Sequence, residues 1–118
     1  MDILVTNNPL VREQDQSKFR VDFKDISLLD ILTSVRDMIH KGHRLLTHPL
    51  SGSVKPNETL YKSVLLTEKN EVIDLQSVSI IEECIIATKK FTPRQIPEKY
   101  KHDMQVVDLS LIRTALEK

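Results

Sequence analysis

The chemistry-bearing side chains of this chain crowd into one stretch, His48-Pro49-Leu50-Ser51-Gly52-Ser53-Val54-Lys55-Pro56-Asn57-Glu58. Ser51-Gly52-Ser53 followed by Lys55 has the composition of a small anion cradle. Glycine lets backbone N–H groups come close to a ligand, serine hydroxyls add donors, and lysine adds charge. It is not a P-loop, because the glycine spacing and the closing Gly-Lys-Ser/Thr are absent and Pro56-Asn57 stand where a helix would have to begin. A second polar cluster, Thr6-Asn7-Asn8, follows an apolar run. Asn7, Asn8, His48, Ser51, Gly52, Ser53, Lys55, Asn57 and Glu58 form the candidate ligand-binding set, and phosphate or carboxylate is the ligand chemistry they suit. The plain alternative is a polar crossover loop that holds Gly and Pro for its turns.

Catalysis has less to stand on. His48 beside Ser51 or Ser53 invites a Ser–His pair, but such pairs are defined by geometry rather than nearness in sequence, and no Gly-x-Ser-x-Gly elbow is present. No catalytic residue is assigned. His40 and His43 have a spacing that could ligate a metal, yet no cysteine or carboxylate joins them at a usual interval. His40 also falls in the last turn of a helix, where an imidazolium suits the dipole. Neither a metal nor a cofactor is expected. Cys84 sits among Ile80, Ile81, Ile85 and Ile86 and reads as a small buried hydrophobe with a raised pKa, not a nucleophile.

These groups must be held by ordered elements, and the hydrophobic pattern supplies them. Ile3-Leu4-Val5 reads as a fully buried strand ended by Asn7-Asn8-Pro9, with a short helical piece over Leu10–Asp15. Phe19, Val21 and Phe23 alternate with polar residues as a half-buried strand. Asp25 or Ser27 caps an amphipathic helix carrying Leu28, Leu29, Ile31, Leu32, Val35, Met38 and Ile39, which Gly42 stops. Leu45-Leu46-Thr47 and Ser63–Thr67 read as two further strands. Asp74 caps a helix to about Phe91, and Asp108 is read as the cap of a last helix with Leu109, Ile112 and Leu116 inward. Strands alternating with helices give the expected fold: one α/β domain over residues 1–118, three-layered, with a mostly parallel sheet of about four strands and helices on both faces. Ligands of such sheets sit beyond the carboxyl ends of the strands, where Asn7-Asn8 and His48 both fall.

Composition sets outer limits. The chain has 118 residues, 40% apolar and 29% charged, enough to bury roughly two-thirds of its unfolded surface without disulfides. Lys plus Arg and Asp plus Glu each number 17, for a net charge of zero. That balance argues against nucleic acid and anionic membranes as partners, and it does little to oppose self-association, so a homo-oligomer is a candidate. The N-terminus lacks the basic and long apolar regions of a signal peptide, and no apolar run is long enough to span a bilayer. A cytoplasmic protein is expected. The Ile-rich helix is apolar over more than one stripe, as for a helix covered on two sides.

The opening Ile3-Leu4-Val5-Thr6-Asn7-Asn8-Pro9, the block from Leu45 to Thr59, Tyr61-Lys62-Ser63, and Asp108-Leu109-Ser110-Leu111-Ile112 together resemble the GrdX family, with Leu60 where proline is expected. These are small proteins encoded beside glycine, sarcosine or betaine reductase components in anaerobic, amino-acid-fermenting bacteria. The resemblance implies an accessory cytoplasmic protein of that system, with reductase components as candidate partners. It carries no catalytic residues. Two other readings stand beside it: a small enzyme acting on an acyl or phosphorylated metabolite with His48 and Ser51, Ser53 or Lys55, and an assembly or regulatory module working through the Ile-rich helix.

Overall fold

The computed structural model describes residues 1–14, 18–50, 59–91 and 95–117. Its elements run β1 (Asp2–Thr6), α1 (Pro9–Arg12), β2 (Phe19–Phe23), α2 (Leu28–His40), β3 (Ser63–Leu66), α3 (Leu75–Lys89) and α4 (Glu98–Leu116). β1 lies at the centre of the sheet in the order β2-β1-β3. Its continuous apolar run suits burial from both sides, and Leu4, Val5 and Thr6 have no exposure. β2 pairs with β1 in parallel, Asp2 opposite Phe19 through Thr6 opposite Phe23. β3 pairs antiparallel, Ile3 opposite Leu66 through Thr6 opposite Ser63.

The α/β class stands, but the sheet differs from the one expected. It has three strands among the described residues, and it is mixed rather than mostly parallel. The expected strand at Leu45–Thr47 reduces to one isolated bridge, Leu45 to Leu66. The cause lies in Thr47. Leu46 N–H reaches Leu65 O (2.9 Å), but Leu65 N–H is taken by the Thr47 hydroxyl (3.0 Å). A side chain has displaced the carbonyl that would have continued the ladder.

Alternation along β1 divides the core. Ile3 and Val5 join Ile31, Leu32, Val35 and Ile39 of α2 and Ile81, Cys84 and Ile85 of α3 in the larger cluster. Leu4 joins Val11 of α1 and Ile112 of α4 in a smaller one. The helix boundaries follow from capping. The Ser27 hydroxyl accepts from Asp30 N–H (3.1 Å) and Asp74 from Ser77 N–H (3.1 Å), each satisfying a donor left open by the first turn. α2 ends in a Schellman arrangement, with Gly42 N–H to Ile39 O (3.0 Å) and His43 N–H to Met38 O (3.2 Å). This requires a left-handed residue, and Gly42 supplies it at φ 114°. α1 is shorter than expected, ending at Arg12.

Asp108 is not a helix cap. α4 begins ten positions earlier, at Glu98 after Pro97, and Asp108 lies in its interior, buried. The first half of α4 carries exposed Val106 and Val107 beside charged residues, so it has no clean apolar stripe to announce a helix. Among the described residues no helix is long and apolar enough to cross a membrane.

Candidate functional site

The carboxyl end of β1 is built from buried polar groups. Ser63 Oγ donates to Asp108 Oδ2 (2.7 Å), so the single hydroxyl hydrogen of Ser63 is committed. The 2.7 Å contact between Thr6 Oγ1 and Ser63 Oγ therefore runs from Thr6 as donor to Ser63 as acceptor. Thr6 Oγ1 in turn accepts Asn8 N–H (3.0 Å). The result is a relay, Asn8 N–H to Thr6 to Ser63 to the Asp108 carboxylate, in which each bond polarises the next. Asn8 closes it from the other side: its Nδ2 donates to Asp108 Oδ2 (3.0 Å) and to Gln105 O (2.9 Å), while its Oδ1 caps α1 by accepting Leu10 N–H (3.0 Å).

Asn7 does a different job. Its Nδ2 donates to Ile26 O (2.9 Å) and Leu60 O (2.8 Å), and its Oδ1 accepts Lys62 N–H (2.9 Å). One amide pins the segment before α2 to the segment before β3. Lys62 is 8% exposed. Burial lowers its pKa, against the opposing pull of the negative charge on Asp108 and a smaller one from Cys84. Cys84, 3% exposed, is pushed up to about 11, chiefly by burial and then by Glu83, against Lys62 and a backbone hydrogen bond from Leu50.

These shifts fix a pH response. Cys84 stays a thiol in the fold where the unfolded chain, at its ordinary 9.0, is a thiolate. Its contribution is complete below that value and is lost as pH rises through about 11. Lys62 acts in the opposite sense: its contribution is complete above 10.5 and fades as pH falls through the lowered value. Cys84→Ala removes the first and leaves the second, slightly enlarged because the small pull of Cys84 on Lys62 goes with it. Between pH 9.0 and 10.5 its urea midpoint should therefore fall less, or rise more, than that of the natural chain. Parallel curves in the two proteins would refute the assignment.

A cleft of about 500 Å³ opens at this end of the sheet. Asn7, Thr59 and Tyr61 line it from the strand ends, Ser27 from the start of α2, Lys89 from the end of α3 and Lys101 from α4, with Asp25 and Phe91 also in its wall. The Tyr61 hydroxyl accepts from Gln105 Nε2 (3.0 Å), and Lys101 Nζ pairs with Glu98 (2.6 Å). The start of α2 brings free backbone N–H groups and the positive end of a helix dipole to the wall. Lys89 and Lys101 bring two ammonium groups to the cleft; Glu98 balances the charge of Lys101, and Asp25 stands in the same wall.

His48 is exposed, and its Nδ1 accepts Leu50 N–H (3.1 Å), which leaves Nε2 to carry the proton of the neutral ring. The Leu45–Thr47 segment runs antiparallel to β3, hence in the direction of β1, so His48 emerges at the same end of the sheet as Asn7. The two are brought to one rim but not into contact, and His48 is not among the cleft's lining residues. Ser51, Gly52, Ser53, Lys55, Asn57 and Glu58 lie outside the described residues. The chain leaves for that stretch at Leu50, packed against the larger cluster, and returns at Thr59 in the cleft wall.

Thr6, Tyr61, Lys62, Ser63, Lys101 and Asp108 were not among the sequence candidates. Asp108 carried a signal: it lies on the helix face of Leu109, Ile112 and Leu116, where a charge demands a buried partner. These features define a small α/β protein with a polar anchor under the central strand and a polar cleft at that strand's carboxyl end. A family model, GrdX-like protein, matches residues 3–117, and the chain belongs to that family. No curated protein and no solved structure matches it.

Proposed function

We propose that this chain is a cytoplasmic accessory protein of the glycine, sarcosine or betaine reductase system, without chemistry of its own. It binds a small anionic ligand through the His48–Glu58 loop, which leaves from the rim of the sheet at which the cleft opens. The family supports the system. The observation that carries the ligand is the cleft itself. It sits beyond the carboxyl end of the central strand, where connections diverge to β2 on one side and β3 on the other, the position at which open α/β sheets take ligands. The start of α2 and the Lys89 ammonium there suit a phosphate or carboxylate. Asn7 and Asn8, with their amides committed to the fold, serve this site by shaping its walls. His48 and Lys55 contact the ligand from the loop.

Thermal unfolding with inorganic phosphate, acetyl phosphate and glycine tests this. A ligand at about 100 times its Kd adds roughly 2.7 kcal/mol, a rise of about 10 °C for a domain this size. His48→Ala and Lys55→Ala should each abolish the rise. A rise kept in both variants removes the loop from the function, and phosphate release from acetyl phosphate would replace the binding reading with the enzymatic one.

A further inference from the structure

β2 forms one edge of the sheet, and among the described residues no strand pairs with its outer side. Its sequence, Phe19-Arg20-Val21-Asp22-Phe23, is complementary to itself when reversed. We infer that β2 is a homodimer interface: two copies pair antiparallel about a two-fold axis at Val21, setting Arg20 of each opposite Asp22 of the other.

The backbone is oriented for this. Lys24 N–H donates to Thr6 O (2.9 Å), one step past the paired residues of β1 and β2. Inward-bonding residues alternate in a parallel ladder, so Lys24, Asp22 and Arg20 face β1. Phe19, Val21 and Phe23 therefore turn their N–H and C=O groups to the open edge. A two-fold axis at Val21 makes Val21 opposite Val21, and Phe19 opposite Phe23, the hydrogen-bonded pairs. Arg20 opposite Asp22 then takes the non-hydrogen-bonded sites, where Cα atoms stand about 4.5 Å apart and side chains meet most closely. The parity needed for the dimer is the parity β2 already has.

The side chains agree. Arg20 is exposed and Asp22 half-buried, and among the described residues neither has an ion pair. Phe19 and Val21 are only partly covered by the smaller core cluster. A cleft of about 590 Å³, floored by Leu4, Val11 and Ile112, runs beside Phe19, and the pairing delivers Phe23 of the second copy to its border. Lys18 and Lys24 fall opposite one another just outside, which confines pairing to the strand. Such an isologous contact closes on itself, and two chains of zero net charge meet without long-range repulsion.

Sedimentation of the full chain should give a dimer of twice 13.6 kDa. Arg20→Asp places carboxylates on both sides of each pair, and Asp22→Arg places cations there. Each should weaken dimerisation roughly tenfold or more while far-UV circular dichroism stays unchanged. An equimolar mixture of the two single variants restores opposite charges across the axis and should form heterodimers. A monomeric natural chain, single variants that remain dimeric, or a mixture that stays monomeric would each overturn the interface. The readout is mass alone, so it stands or falls separately from ligand binding.

Discussion

Asp108→Ala is expected to lower unfolding free energy by roughly 3–5 kcal/mol, a large part of the 5–15 kcal/mol typical of a domain. The carboxylate is 4% exposed and receives Ser63 Oγ–H and Asn8 Nδ2–H on one oxygen. Alanine leaves both donors without that acceptor. The loss spreads along the relay, because Ser63 loses the acceptor that fixed its hydroxyl and so holds Thr6 less well. Lys62 loses the anion that opposes its desolvation. Ile112 is the one buried apolar side chain of α4 among the described residues, with Leu109 and Leu116 partly buried beside it. Asp108→Asn preserves the shape and one acceptor oxygen and should cost about half as much. Asp103→Ala, exposed on the same helix, should stay within about 0.5 kcal/mol. Urea denaturation measures all three, and a loss under about 1 kcal/mol for Asp108→Ala would show that the network does not anchor α4.

Gly42→Ala should cost roughly 2–4 kcal/mol by the same measurement. The left-handed conformation at φ 114° disfavours any side chain by about 1–2 kcal/mol. A Cβ placed there would also overlap the carbonyl oxygen of Asn70, and that oxygen belongs to backbone. Relief requires the turn at Asn70 to move, which breaks the bond from Asn70 N–H to Gly42 O (2.9 Å). The neighbouring Lys41→Ala, exposed, should change stability by less than about 0.5 kcal/mol. Equal effects at the two positions would mean that neither the backbone conformation nor the contact matters.

Local rules made part of this fold legible. Period-two alternation located β2, helical spacing with Ser27 and Gly42 bounded α2, and Asp74 marked the start of α3. What escaped was non-local. Whether β3 runs with or against β1 depends on where a chain returns, and no local pattern encodes it. At Thr47 the deciding group was a side chain standing in for a carbonyl. At α4 the usual cue was missing because polar anchors, Asp108 and Gln105, do the work that an apolar stripe does elsewhere. The candidate site shows the same division. Asn7 follows β1 as expected, whereas His48 follows an isolated bridge and not a strand; the amide of Asn7 proved committed within the fold, and that commitment is set by residues 19 to 55 positions away.

The bond from Asn8 to Asp108 joins residues 100 positions apart. It makes the rim at the end of β1 a late product of folding. Loop-closure entropy must be overcome before such a contact returns any stability, and during synthesis α4 must leave the ribosome before Asp108 can reach Asn8. Until then β1 ends in polar groups without their final partners. The cleft is thus coupled to the docking of α4: without that helix the rim lacks its anchor and Lys101, and binding there would report that α4 is in place.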